Sequence, residues 1–170
     1  MKLQKANQQD VAYFADLYDR SCAQLEANTN YPLWKRGVYP SEATAIKSFE
    51  AGDLFIFTKD NERVGSVVLN QIGAPAYNEG DWQLQEANPV MIHGLAKDFL
   101  HKVSGTELVT CIINWAKTEG YDSIRLDAVT QNTPAIALYE KLGFQRVGKV
   151  DLQLDFPWVK WFYLYELVFE

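Results

Sequence analysis

The sequence is poor in the residues that build metal centres and disulfide frameworks. Its 170 residues include two histidines, His93 and His101, and two cysteines, Cys22 and Cys111. Two cysteines far apart make no disulfide scaffold, and with so few ligands a metal site is not expected. Both cysteines lie beside Val, Ile or Leu on predicted helix faces, which predicts buried free thiols and a reducing compartment. No apolar run approaches the roughly 18 residues that a membrane span needs, and the opening from Met1 to Lys5 does not read as a secretory leader. A cytoplasmic protein that does not engage a membrane is the expectation. Basic charge is also in deficit, with 16 Lys and Arg against 22 Asp and Glu and a net charge of −6. The basic face of a nucleic-acid binder is missing. The acidity leans toward a cationic partner such as an amine, although it is ordinary for a soluble protein. Neither a Gly-x-x-x-x-Gly-Lys-Ser/Thr phosphate loop nor a Gly-x-Ser-x-Gly nucleophile elbow is present.

What is present points to a packed globular chain. Hydrophobic residues make up 48% and charged residues 22%, enough apolar content to build a core. The length suits one domain over residues 1–170. Leu3 to Ala6 reads as a first strand. Asn7 caps a helix with Asp10 in its first turn, and Val11, Phe14, Ala15, Tyr18, Cys22 and Leu25 recur at helical spacing. A second helix runs from Ser41 to Glu50 and ends at Gly52. Leu54 to Thr58 and Arg63 to Leu69 read as paired strands across a Lys59–Glu62 turn. Asn70 to Ala87 is polar and broken by glycine and proline, and reads as a long functional or mobile loop. Pro89 to Lys97 is a fourth strand, Ser104 to Glu119 a third helix, and Ser123 to Val129 a fifth strand. Pro134 to Leu142 is a fourth helix, and strands follow over Phe144–Val150 and Trp161–Phe169. The fold class is therefore α/β, with a mixed sheet of about seven strands flanked by about four helices.

The densest information lies in Asn132-Thr-Pro-Ala-Ile-Ala-Leu-Tyr-Glu-Lys-Leu-Gly-Phe144. Thr133 is a good N-cap, Pro134 suits the first helical turn, and Gly143 can close the helix. This Asn-x-x-Ala-x-x-Leu-Tyr-Glu-Lys-Leu-Gly-Phe run resembles the C-terminal acyl-CoA motif of the GNAT superfamily of N-acetyltransferases, while Trp34 followed by Tyr39-Pro40-Ser41, Tyr77, Trp82, Ile92-His93-x-Leu95-Ala96 and Phe162-Tyr-Leu-Tyr-Glu-Leu167 resemble a bacterial small-molecule subgroup of it. The element order is also the GNAT order. The resemblance implies an acetyl-CoA-dependent enzyme in which an amine attacks the thioester directly in a ternary complex. It places Tyr139 beside the cofactor sulfur, where a hydroxyl with an ordinary pKa near ~10 can donate to the leaving thiolate. It also places Asn132 and Ala135 along the pantetheine arm. The main-chain amides of Leu95, Ala96 and Lys97 would pair with that arm like an added strand, in the splay between the fourth and fifth strands.

The family's phosphate loop, Gln/Arg-x-x-Gly-x-Gly/Ala, opens a helix because bare amides at a helix N-terminus bind anions. The matching stretch here is eroded. Counting back from Gly120 puts Gly105 at the last small position, Val103 at the first glycine and Leu100 at the Gln/Arg. Counting without a gap puts Lys102 at the Gln/Arg instead. Lys102, Val103, Ser104, Gly105 and Thr106 are the candidate cofactor contacts. Ser104-x-x-Glu107 is a capping box that would set a carboxylate where phosphate should lie, partly offset by His101 and Lys102, so weaker cofactor binding is expected.

On the acceptor side, Trp34, Tyr39, Tyr77 and Trp82 are candidate walls for an amine pocket, with ordinary core packing as the alternative. His93 is the candidate base by intrinsic pKa. Glu79, Asp81, Glu86 and a relayed water are the alternatives. A homodimer is the commonest closed assembly. The competing functional class is a non-catalytic GNAT-like module that binds an acyl-CoA or another ligand through a degenerate loop.

Overall fold

Seven strands and four α-helices appear in the expected order in the computed structural model, which describes residues Met1–Glu170. β1 (Lys2–Lys5) passes through a short 3-10 turn into α1 (Val11–Ala27), followed by α2 (Glu42–Glu50). β2 (Leu54–Lys59), β3 (Glu62–Asn70) and β4 (Pro89–Lys97) come next, then α3 (Gly105–Thr118) and β5 (Ser123–Val129). α4 (Thr133–Lys141), β6 (Gln145–Asp151) and β7 (Trp161–Val168) complete the order. The sheet runs β1-β2-β3-β4-β5-β7-β6. β4 and β5 pair in parallel, whereas β1–β2, β2–β3, β5–β7 and β6–β7 are antiparallel. The sheet is therefore mixed, as the alternation of strands and helices required.

The chain divides into two compact units. The first holds Met1–Asn30, Trp34–Leu69 and His93–Ile112; the second holds Tyr31–Leu33, Asn70–Ile92 and Ile113–Glu170. In the first unit, α1 turns Phe14, Leu17, Tyr18, Ser21 and Cys22 inward, the i, i+3, i+4 stripe of a one-sided helix. That stripe meets Ala45 of α2, Leu54 and Ile56 of β2, Val68 of β3 and Ala96 of β4. Asp60 and Asn61 take positive φ in the β2–β3 turn, which these two residue types tolerate best after glycine. Cys22 is buried as expected, while Cys111 is only half-buried.

The same core seals three hydroxyls, those of Tyr18, Ser21 and Ser66, none with a well-formed hydrogen bond, although Tyr18 and Ser66 lie close enough to interact. A sealed, unpaired hydroxyl costs stability that an apolar replacement recovers. Tyr18→Phe should therefore be neutral or stabilising, by up to about 1 kcal/mol in urea unfolding. A loss of stability would instead reveal that the Tyr18 hydroxyl bonds Ser66.

In the second unit, Met91, Val129, Val147, Val150, Phe162 and Leu164 pack with Ala76 and Tyr77. Ala76 and Tyr77 belong to the stretch expected to be a long, mobile or functional loop. It carries a 3-10 turn over Pro75–Glu79 and is tied down at many points. The Asp81 amide donates to the Val147 carbonyl at 2.7 Å. Glu166 on β7 is fully buried and accepts from the Gln83 amide at 2.6 Å and from Arg125 Nε at 2.8 Å. Arg125 also donates to the Leu84 carbonyl at 2.6 Å. The loop lacks hydrophobic periodicity because polar bonds, rather than an apolar stripe, fix it. No helix is long and apolar enough to cross a membrane.

Candidate active site

The second unit presents Tyr139 and the residues around it. Asn132, not Thr133, is the N-cap of α4; its Oδ1 faces the Ala135 amide at 3.4 Å. Both residue types cap helices well, so the choice falls to the backbone turn leaving β5. Asn132 thus shapes the helix start, and Ala135 lies half-buried beside it. At the other end the Phe144 amide reaches the Tyr139 carbonyl at 3.0 Å and the Gly143 amide reaches Glu140 at 3.1 Å, closing the helix as its glycine predicted.

Between these stops, the Tyr139 ring is buried, 7% exposed, against Phe144 and Tyr165 at centroid distances of 5.5 and 6.2 Å. Its hydroxyl forms no hydrogen bond within the protein. Burial and, secondarily, the nearby charge of Asp127 push its pKa well above the ordinary value of 10.0. The group stays protonated across the physiological range.

Asp127, which the sequence reading left as a plain strand position, stands beside aromatic candidates of the acceptor side. Its Oδ2 accepts from Tyr77 Oη at 2.7 Å. Tyr77 packs against Trp82 at 5.5 Å, and Trp82 Nε1 donates to the Tyr77 carbonyl at 2.7 Å. Two of the four aromatic candidates therefore stand together with a carboxylate. The only earlier signal was position: Arg125, Asp127 and Val129 alternate onto one face of β5.

The first unit carries the other candidates. Gly94 interrupts β4 with a φ of +55°, a conformation that turns adjacent peptide planes out of the ladder. A Cβ at Gly94 would lie 3.7 Å from Tyr39 Oη, so Tyr39 stands over the kink. His93, immediately before it, is half-buried, as are Leu95 and Lys97, while Ala96 is buried. Trp34 packs against the α1–α2 core, which favours the core-packing alternative for that residue. Glu79, Asp81 and Glu86 are exposed.

The β4–α3 connection is held from below. Asp98 is buried and paired with Arg20 at 2.9 Å, Tyr13 at 3.0 Å and the Leu100 amide at 3.0 Å. Burial alone would raise the Asp98 pKa, but these donors outweigh it and hold the carboxyl below its ordinary value. The Val103 side chain is buried and its amide is turned to the His101 carbonyl at 3.0 Å.

The capping box forms as expected. Glu107 Oε2 accepts from the Ser104 amide at 2.8 Å and from Ser104 Oγ at 3.0 Å. The structure adds Lys59, whose Nζ donates to Glu107 Oε1 at 2.7 Å and reaches the Lys102 carbonyl at 3.4 Å. Lys59, then the Ser104 amide and hydroxyl, bring the Glu107 pKa down to about 2. The carboxylate is therefore matched by a cation that no local pattern pointed to, because Lys59 lies 48 residues earlier. Glu107 takes up the Ser104 amide at the helix start, and the first-turn amides of Gly105 and Thr106 are the helix's own orphan donors. The Lys59 ammonium beside these amides would suit a pyrophosphate, so this donor set fits coenzyme A.

Comparison with known proteins gives the family. The profile of the Acetyltransferase (GNAT) family matches residues 16–144, and the chain belongs to that family, whose members transfer an acetyl group from acetyl-CoA to an acceptor.

A GNAT-family acetyltransferase structure from Streptococcus agalactiae superposes with a TM-score of 0.82, at 20% identity, over 99% of this chain and 95% of that one. A Salmonella typhimurium protein solved with its cofactor acetyl-CoA gives 0.64 at 15% identity, covering 99% and 94%. Human N-acetyltransferase 8 is 29% identical over 111 residues, 64% of this chain. The match spans 46% of that relative's length.

Proposed function

We propose that this protein transfers the acetyl group of acetyl-CoA to the amine of a small molecule or peptide, by direct attack in a ternary complex. The observation that carries this reading is Tyr139, a buried ring whose hydroxyl is held in its protonated form by burial and the nearby Asp127 charge. A hydroxyl raised this far is a hydrogen-bond donor rather than a ready proton source. It stabilises negative charge that develops on sulfur as the carbon–sulfur bond breaks. Acetyl-CoA supplies the activated thioester, and an ammonium acceptor yields an amide, a thiol and one proton released to solvent. The main-chain amides around the Gly94 kink, with Leu95, Ala96 and Lys97, would pair with the pantetheine arm. Gly105, Thr106, Lys59 and Lys102 would hold the pyrophosphate.

Calorimetric titration with acetyl-CoA, followed by a thiol-release assay over a panel of amines, tests the reading. Micromolar binding with amine-dependent thiol release is expected. Binding without turnover on any amine would favour the non-catalytic module, which the self-capped start of α3 supports. Glu107 competes with phosphate for the Ser104 amide and for Lys59. Glu107→Ala should therefore tighten coenzyme A binding about tenfold, at a small loss of helix stability. Unchanged affinity would place the phosphates elsewhere.

A further inference from the structure

We propose that a cleft in the first unit, lined by none of the residues assigned to acetyl-CoA, binds a free polar α-amino acid as a zwitterion, with Arg63 taking its carboxylate and Glu62 its ammonium. The inference stands on that unit alone: every residue lining the cleft belongs to it, whereas Tyr139 belongs to the second.

The cleft opens between α1, the β2–β3 hairpin and the segment that follows β4. Its volume is about 510 Å³, inside the span of roughly 300–1,000 Å³ usual for small-molecule sites. Two buried carboxylates organise its walls. Asp10, 3% exposed, accepts from the Asn7 amide at 2.8 Å and pairs with Arg63 Nη2 at 2.9 Å. Asp98 holds Arg20 and the Tyr13 hydroxyl. Tyr13 joins the two pairs, because the Arg63 guanidinium lies over its ring at 5.5 Å.

Arg63 is thus fixed by a carboxylate on one edge and by an aromatic face. A guanidinium has five donors and one carboxylate takes at most two of them, so about three remain. The Arg63 side chain is 44% exposed, and the remaining donors can be reached from the cleft. An arginine oriented in this way is pre-organised for a planar, bidentate partner.

Charge decides the class of ligand. Arg20 and Arg63 face three carboxylates along the cleft, those of Asp10, Glu62 and Asp98. Arg20 is engaged by Asp98 and Asp16 and Arg63 is paired with Asp10, so Glu62 is the carboxylate left over. A simple anion would meet repulsion from Glu62, and a simple cation would meet it from Arg63. A zwitterion satisfies both. Gln4, Thr58, Asn61 and His101 add groups that donate and accept, which suits a polar side chain. An ammonium paired with a carboxylate is held protonated and is no nucleophile, so this ligand is bound rather than acetylated.

The probes are L-glutamine, N-acetyl-L-glutamine and L-glutaminamide, which share one body and carry both charges, the carboxylate alone and the ammonium alone. Each is titrated calorimetrically into the full chain. Glutamine is expected to bind with a dissociation constant of about 0.1–1 mM, and each single-charge probe about tenfold more weakly. Glu62→Gln should lower glutamine to the affinity of N-acetylglutamine with little change in melting temperature, since Glu62 is exposed. Arg63→Lys keeps a cation beside Asp10 but loses the fork, and should weaken glutamine about tenfold. Arg36→Gln, which removes a surface partner of Asp19, should bind glutamine as the wild type does.

Equal binding of the three probes, or no binding of glutamine up to about 20 mM, would overturn the proposal. A preference for the zwitterion that survives Glu62→Gln would do the same, and that variant decides the matter even where Arg63→Lys disturbs the fold through Asp10. An equal loss in Arg36→Gln would also overturn it, by reducing the effect to diffuse surface charge.

Discussion

Glu166→Ala is expected to lower stability by about 3–5 kcal/mol, the largest effect of any single substitution considered. The carboxylate is fully buried. It accepts from Arg125 Nε at 2.8 Å, the Gln83 amide at 2.6 Å and Ser123 Oγ at 3.3 Å, with the Leu84 amide a longer 3.4 Å away. Removing it leaves the guanidinium of Arg125, 11% exposed, without its counter-charge. An uncompensated buried charge costs far more than the pair gains by forming. For a chain of this size the melting temperature should fall by roughly 10 °C or more. Glu166→Gln keeps the shape and some acceptors and should lose less. A fall of under about 1 kcal/mol in Glu166→Ala would mean that water replaces the carboxylate and that the pair behaves as a surface contact.

Tyr139→Phe should lower kcat by about 10²-fold while leaving the KM for acetyl-CoA and the melting temperature nearly unchanged. The ring stays, so its packing on Phe144 and Tyr165 is retained. The hydroxyl bonds to nothing in the protein, so no structural contact is lost. Only the proposed interaction with the departing sulfur would disappear, and its loss would show in kcat. Burial and the Asp127 charge also fix the pH behaviour. Because the pKa of Tyr139 is raised above 10.0, the wild-type rate should not fall as pH rises through that value. An unchanged kcat in Tyr139→Phe would remove the tyrosine from the chemistry.

The parts of this site that were legible in the sequence are those carried by short-range signals. From Asn132 to Phe144 the cap, the proline, the tyrosine and the closing glycine fall within one helix and its flanks, so spacing alone conveys them. The capping box at Ser104 and Glu107 was readable for the same reason. Lys59 was not, because its pairing with Glu107 depends on how far the β2–β3 hairpin reaches. Asp127 stood in plain view on β5, but its meaning depends on Tyr77, which arrives through a hydrogen bond across 50 residues. The loop from Asn70 to Ala87 looked mobile because its order comes from Glu166, Arg125 and Val147, none of them local. Gly94 shows the converse: a glycine in a strand pattern announces a kink, yet it was passed over within an otherwise regular apolar run.

The position of β7 has a consequence for how the protein is made. β7 is synthesised after β5 and β6 but lies between them in the sheet, hydrogen-bonding to both along nearly its whole length. A nascent chain that stops short of Trp161 therefore has two strands with a gap where their shared neighbour belongs, and it lacks Glu166 to organise residues 83–84. On the ribosome, where earlier segments emerge first, this unit must wait with open strand edges until β7 clears the exit tunnel. Those edges are natural docking points for chaperones and for other nascent chains. Slowing translation over residues 152–160 should lengthen that exposed interval and raise aggregation without altering the finished protein.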